Sequence, residues 1–333
     1  MGWQQEIPFV RNAGLMAKTK DLDGKLVVLV GGSGFIGTHV AQELLSRGAR
    51  LRVAARHPER AYRLKPLGNL GQIQLCRCDV ARPETLDAVM AGADAVVYLA
   101  GTFGADADMV QAYGPGAAAK AAKAAGASAF VLVSAIGANA ESDVRYARTK
   151  GEGEAAVRAA FPKATILRPS VVFGEDDRFI NMFAGLISAL PALPVFGPGA
   201  LMQPLHVDDM AGAVAAALSD PVSHGGKTYE IAGPEILTMS QINHAIAKAQ
   251  HRKTLFAELP DFASAAFAAL TGWLPGAPMS MEQWKLLKAG NVASGGYPGL
   301  AELGIKPRPL GLFLDRWMVR YRKHGRFGVS ASA

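Results

Sequence analysis

Cysteine is nearly absent. The 333-residue chain has two, Cys76 and Cys78, too few for a disulfide framework and, without further ligands, for a structural zinc site. A reducing compartment is the expected setting. The two thiols alternate along a strand end, which puts both on one side, where packing is their expected role. Long apolar runs are missing as well. The longest uncharged helix candidate, Phe262–Leu274, is stopped by Pro275 after thirteen residues, and a bilayer crossing takes about 20. That segment reads as a packed or interfacial helix. Residues 1–25 contain no apolar run of the signal-peptide kind. Met16 is a candidate true start, because the ordered pattern begins only near Lys25. No repeat with a period of about 20–50 residues is visible. Metal-ligand spacings are lacking too, and His206 beside Asp208 and Asp209 reads as turn and cap chemistry.

What is present is apolar. With 50% hydrophobic and 19% charged residues, the chain can bury a large core, which excludes disorder, collagen and coiled coil as the overall class. The net charge of +7 is unevenly spread. Lys306 to Arg326 holds seven basic residues and one acid, Asp315, so the body before it is close to neutral.

Along the first half, short apolar runs alternate with helical stretches. Leu26–Val30, Leu51–Ala55, Ile73–Leu75, Ala95–Leu99, Phe130–Ser134 and Ala164–Arg168 read as strands. A helix runs from the glycines after the first strand through Arg47 and ends at Gly48, and another covers Tyr113–Ala125. Repeated βαβ units predict an α/β fold, a Rossmann-type doubly wound parallel sheet. Prolines then gather at 191, 194, 198 and 204 and the alternation stops, which predicts a smaller C-terminal lobe. The expected division is an extension over 1–24 and a nucleotide-binding domain over 25–235, feeding segments to the lobe from about 175. The lobe and basic tail follow over 236–327, with a disordered end at 328–333.

Gly31, Gly34 and Gly37 lie between the first strand and the first helix, in Gly31-Gly32-Ser33-Gly34-Phe35-Ile36-Gly37. Such glycines permit a tight turn, close backbone approach to a pyrophosphate and close helix packing. The helix N-terminus meets the phosphates with unpaired N–H groups. This is a dinucleotide-binding signature in its strand–turn–helix context. The end of the second strand selects the cofactor. Arg56 stands there with no acid before Glu59, and a guanidinium suits a 2′-phosphate better than a ribose hydroxyl. NADP(H) is therefore expected ahead of NAD(H), with His57, Arg60 and Lys65 as possible helpers and Asp79-Val80 bracketing the adenine.

Tyr146 and Lys150 are four residues apart on one helix face. An ammonium beside a phenol favours phenolate and lowers a pKa otherwise near ~10, and Ser134 offers a second hydrogen bond to a carbonyl. At this point the chain resembles the short-chain dehydrogenase/reductase superfamily in its extended or atypical form. The resemblance rests on the glycine string, Asp79-Val80, Leu99-Ala100-Gly101, Ser134, Tyr146/Lys150 and Arg168-Pro169-Ser170-Val171-Val172-Phe173-Gly174. It covers roughly residues 25–235. It implies cofactor contacts from Gly31, Ser33, Gly34, Phe35, Ile36, Gly37, Arg56, Asp79, Val80, Leu99, Ala100, Gly101, Tyr146, Lys150, Pro169 and Val171, and a catalytic set of Ser134, Tyr146 and Lys150 in an active enzyme.

A narrower likeness joins Tyr146–Glu154, Phe161-Pro162, Arg168–Phe179, Met281–Val292 and Leu303–Pro307. These segments are similar to the NADPH-binding accessory subunit family of respiratory complex I. That resemblance implies a tightly held NADPH and complex I subunits as partners, with a peripheral position on the cytoplasmic side of the inner membrane. A free enzyme would be cytoplasmic. In the tail, Leu310, Phe313, Leu314, Trp317 and Tyr321 recur at helical spacing with Arg316, Arg320 and Lys323 on another face. Residues 306–326 are thus read as a basic amphipathic helix for an anionic membrane surface or acidic partner, without a nucleic-acid module. Two other functions stay open: an active NADP-dependent reductase or nucleotide-sugar epimerase/dehydratase, and an NADP(H)-sensing module.

Overall fold

Apolar runs of four to six residues build the centre of the molecule: β1 Leu26–Val30, β2 Arg50–Ala55, β3 Ile73–Arg77, β4 Ala95–Tyr98, β5 Ala129–Val133 and β6 Thr165–Pro169. With Thr228–Ile231 they form one seven-stranded sheet in the order β3-β2-β1-β4-β5-β6 and then Thr228–Ile231. Every pairing is parallel. The computed structural model describes residues 20–271, 279–323 and Gly325. Met16 and the expected end segment 328–333 lie outside the described residues, as does most of the 1–24 extension.

All four residues of β4 and all five of β5 are buried, the near-continuous apolar pattern of strands covered on both faces. One face packs under helix α1 (Phe35–Ser46) and the Val207–Ser219 helix. The other packs under Pro83–Met90, Gly114–Ala124 and Arg145–Ala160. Strand order reverses between β1 and β4, so a crevice opens at their C-terminal ends, the usual ligand position in such sheets. The loops after β1, β2, β4, β5 and β6 all leave at that end.

A third core belongs to the C-terminal lobe. It gathers Phe173, Ile180, Ile187, Met202, Ile242, Trp284 and Trp317. Leu300 and Leu303 instead return to the core of the main sheet. The Asp261–Thr271 helix buries Ser264 and Ala268 while leaving Phe262 79% and Leu270 74% exposed. Residues 272–274 of that expected helix lie outside the described residues. No helix among the described residues is long and apolar enough to cross a membrane.

The tail departs from expectation. Its helix spans only Gly311–Trp317, followed by a tighter turn over Met318–Tyr321. Leu310, Leu314, Trp317 and Met318 are buried in the lobe core, and Phe313 and Tyr321 pack against it. The apolar stripe read as membrane-facing is therefore spent on the protein itself. The stripe that an interfacial helix inserts is covered here by the lobe core; His324 and Arg326 lie outside the described residues. Several of the cations are engaged internally. Arg308 binds Asp209, Arg320 binds Asn181, and Arg322 donates to the Ala249 carbonyl.

Candidate functional site

The glycine turn has the shape a dinucleotide needs. Gly31 has φ +82°, and a Cβ there would stand 2.8 Å from the Ala100 backbone nitrogen. At Gly37 an added Cβ would come within 2.6 Å of Gly32 backbone, so α1 can lie on the turn only because Gly37 lacks a side chain, as the Ala100 segment can approach only because Gly31 does. Gly34 caps α1 with no side-chain hydrogen bond, and the first turn of α1 has no acid. The N–H groups of that turn are thus left for an anion, in the field of the helix dipole. Beside Gly34 an added Cβ meets only the Gly31 carbonyl oxygen at 3.7 Å. Ser33, Phe35 and Ile36 are half-buried around the turn. Phe35 meets the Arg168–Gly174 loop from below, since a Cβ on Gly174 would stand 2.9 Å from its ring. These features fit a pyrophosphate.

At the end of β2, Arg56 is exposed, and its Nη1 donates to Asp106 Oδ2 at 3.0 Å. Two of the named helpers point elsewhere. Lys65 donates to the Ile73 carbonyl at 2.7 Å, on the sheet edge, and His57 pairs with Glu59. Arg60 is exposed. The cation that does reach the turn is Arg63, whose Nη2 donates to Thr38 Oγ1 at 2.8 Å and to the Ser33 carbonyl at 3.3 Å. Sequence spacing gave no sign of it, because Pro58–Leu67 coils as a 3₁₀ segment and not as an extended loop. Asp79 accepts the Ala81 N–H in a local turn, and Val80 packs against the second core.

After β4, Leu99 N–H donates to the Val30 carbonyl, Ala100 faces Gly31, and a Cβ on Gly101 would be 3.5 Å from Lys150 Nζ. Lys150 is therefore at the cofactor loop. Its helix, Arg145–Ala160, sits close because Gly153 has no side chain to strike the Gln111 carbonyl. Lys150 Nζ donates to the Val133 carbonyl at 3.1 Å, and burial pushes it down to about 8, with the Glu154 charge opposing. Tyr146 lies on the same face, 6.0 Å from that nitrogen measured to the ring centre. Its ring stacks on Phe103 at 4.4 Å and 15°.

In this structure the expected catalytic set has two features that the sequence did not show. Burial pushes the Tyr146 phenol up to about 12, where the ammonium was expected to lower it. Desolvation of the phenolate dominates, and one of the three Lys150 donors goes to the Val133 carbonyl. Ser134 has a protein partner for its hydroxyl. It is buried, and its Oγ donates to Glu154 Oε1 at 2.6 Å. Glu154 in turn holds Arg168 through two bonds, at 2.8 and 2.7 Å. That pairing pushes Arg168 further up from its ordinary range.

Pro169 accepts from the Ile136 N–H, and Val171 N–H donates to Asn291 Oδ1, which ties the Pro169–Val171 loop to the lobe. Asn291 was visible in sequence only as part of the Met281–Val292 segment. Below the turn, His39 on α1 bonds Asp208 at 2.7 Å and Asp176 at 3.3 Å. Burial opposes its charge, but both carboxylates together hold the imidazolium above its ordinary value. His206 is the helix cap that the sequence implied, accepting from the Asp208 N–H and stacking on Phe313 at 3.8 Å. Cys76 is half-buried and Cys78 buried, both at the second core.

Residues 31–183 match a sequence family described as NAD(P)H-binding, and residues 140–290 one described as RmlD substrate binding domain. Among curated proteins, the mitochondrial NADH dehydrogenase (ubiquinone) 1 alpha subcomplex subunit 9 of Arabidopsis thaliana is 30% identical over 329 residues. That alignment covers 93% of this chain and 82% of the relative. A ceramide reductase of Caulobacter vibrioides is 34% identical over 201 residues, covering 59% of this chain and 62% of that protein. The Citrobacter sp. triphenylmethane reductase complexed with NADP(H) has the same fold, with a TM-score of 0.70 at 19% identity over 87% of this chain and 99% of that one. The chain carries an NAD(P)H-binding domain of the epimerase- and dehydrogenase-like superfamily and belongs to the family of the complex I alpha subcomplex subunit 9 proteins.

Proposed function

We propose that the protein binds NADP(H) as a mainly structural cofactor and serves as a peripheral accessory or assembly subunit of a respiratory NADH:quinone oxidoreductase. In a bacterial-type arrangement it sits on the cytoplasmic side of the inner membrane. The α1 turn holds the pyrophosphate, Arg56 the 2′-phosphate, Lys150 the ribose, and the Pro169–Val171 loop the nicotinamide side. A bound nicotinamide supplies hydride-transfer chemistry. The observation that carries the structural role is the Ser134–Glu154 bond: the hydroxyl that would polarise a carbonyl is committed to a buried ion pair. Burial also pushes the Tyr146 phenol up to about 12, away from neutral pH. The 30% identical subunit relative supports the assembly. Denaturing the purified protein and identifying the released nucleotide tests the cofactor. Near-stoichiometric NADP(H) is expected, and release of NAD(H) or of no nucleotide contradicts the reading.

A second reading, a working reductase, is favoured by Lys150 lying beside Gly101 with Tyr146 on the same helix face. The ceramide reductase relative supports it. Carbonyl-dependent NADPH oxidation that Tyr146→Phe abolishes would establish it. No turnover across carbonyl lipids and nucleotide sugars would set it aside.

A further inference from the structure

Arg56, the residue placed to read a 2′-phosphate, is already bound to an acid. Its partner Asp106 lies in the loop 101–107, between β4 and the helical turn Asp108–Tyr113. The same loop reaches the other side of the crevice. Phe103, 65% exposed, lies flat on the Tyr146 ring. Arg145, next to Tyr146, donates to Asp108 and to the Ala105 carbonyl, pinning the loop at its far end. One short segment therefore connects the cofactor-selecting cation to the tyrosine.

A carboxylate on a guanidinium occupies the donor fork that a phosphate would take. The two anions are unequal. A phosphate monoester carries about −1.5 to −2 at neutral pH, and Asp106 carries one charge. The Arg56–Asp106 side chains are 59% and 40% exposed, so their pairing is screened and weak. A ligand phosphate can replace such a contact. NAD(H), which presents only a hydroxyl there, brings no charge to replace it.

We propose that Asp106 is a specificity-determining residue that competes with the 2′-phosphate for Arg56. NADP(H), unlike NAD(H), breaks the Arg56–Asp106 pair and so loosens the loop that lays Phe103 on Tyr146. The inference rests on the reading of Arg56 as the 2′-phosphate ligand. It deepens that reading by making the covering of Tyr146 respond to the nucleotide.

The test titrates the intact protein with NADPH, NADH and 2′,5′-ADP by calorimetry, for the wild type, Asp106→Asn, Asp106→Ala and Arg56→Ala. Both Asp106 variants are expected to bind NADPH and 2′,5′-ADP about three- to five-fold tighter, the range of an exposed ion pair, with NADH within about two-fold. Melting temperatures equal to wild type verify that the exposed substitutions leave the fold intact. Hydrogen exchange supplies a second readout. Amides of 101–107 are expected to exchange faster with 2′,5′-ADP bound, and faster in Asp106→Asn without ligand. Unchanged or weaker NADPH binding in both Asp106 variants, with Arg56→Ala still selectively weakening NADPH, overturns the competition and leaves the cofactor reading standing. Equal loss of NADPH and NADH in Arg56→Ala overturns both. Exchange in 101–107 that responds identically to NADPH and NADH overturns the link to Tyr146.

Discussion

Ser134 Oγ stands 2.6 Å from Glu154 Oε1, and the carboxylate it donates to also accepts two bonds from Arg168. A serine at the end of β5 is thereby a structural donor. Removing one partner of a buried pair leaves an uncompensated charge, which costs about 3–5 kcal/mol. Glu154→Gln is expected to destabilise the protein by up to about that amount in urea unfolding, because Arg168 loses its closer counter-charge and keeps Glu230 at 3.9 Å. Ser134→Ala is expected to cost about 1.5–3 kcal/mol, the worth of a bond to a charged group, and to leave nucleotide affinity unchanged. A Ser134→Ala variant of full stability with weakened NADPH binding would return Ser134 to the site.

The His39 cluster makes stability depend on pH in a defined direction. His39 is held above its ordinary 6.5 by Asp208 and Asp176 against the opposing effect of burial. Its contribution is fully present below 6.5 and is lost as pH rises through the raised value. His206 runs the other way. Burial first, then Arg308, hold it down at about 4, so its contribution is present above 6.5 and is lost as pH falls from 6.5 to about 4. Asp208, lowered by the His39 bond, contributes above its ordinary 3.8 and loses that as pH falls through the lowered value. His39→Gln is therefore expected to lose more stability at pH 6 than at pH 9, read from urea midpoints. Equal losses at both pH values would contradict the ion pairing.

Arg56 and Arg63 differ in what they hold. Arg56 pairs with Asp106 at the end of β2 and is the proposed 2′-phosphate ligand, whereas Arg63 braces the turn through Thr38 and the Ser33 carbonyl. Arg56→Ala is expected to weaken NADPH about tenfold or more, the loss of a charge-assisted contact, and to spare NADH. Arg63→Ala is expected to weaken both to a similar degree. Equal effects on both nucleotides in Arg56→Ala would refute the 2′-phosphate contact.

Gly37 tests the turn itself. A Cβ there meets Gly32 backbone at 2.6 Å, and backbone does not yield as a flexible side chain does. Gly37→Ala is expected to cost about 1–3 kcal/mol from overpacking and to abolish nucleotide binding. Gly34→Ala, whose Cβ meets only a carbonyl oxygen at 3.7 Å, is expected to fold normally. Matching stability in the two variants would contradict the tight approach of α1.

The sheet was legible because parallel strands buried on both faces read as unbroken apolar runs, as in β4 and β5. The glycine turn was legible because its requirement is backbone geometry, which only one residue type meets. What stayed hidden depends on long-range partners. The Ser134 bond needs Glu154, twenty residues away, to be buried beside it. Lys65 and Arg63 exchange roles because a 3₁₀ turn rotates them differently from an extended loop. The tail's periodicity marked an apolar stripe correctly, but periodicity says nothing of what covers a stripe, and Phe173 and the lobe core cover this one.

A subunit stays with its complex through purification. The direct measurement is purification of the tagged protein from native membranes in mild detergent, with its partners counted by mass spectrometry. Stoichiometric recovery with the subunits of NADH:quinone oxidoreductase, NADP(H) still bound, is the predicted result. Recovery as a free species at every salt concentration would contradict it.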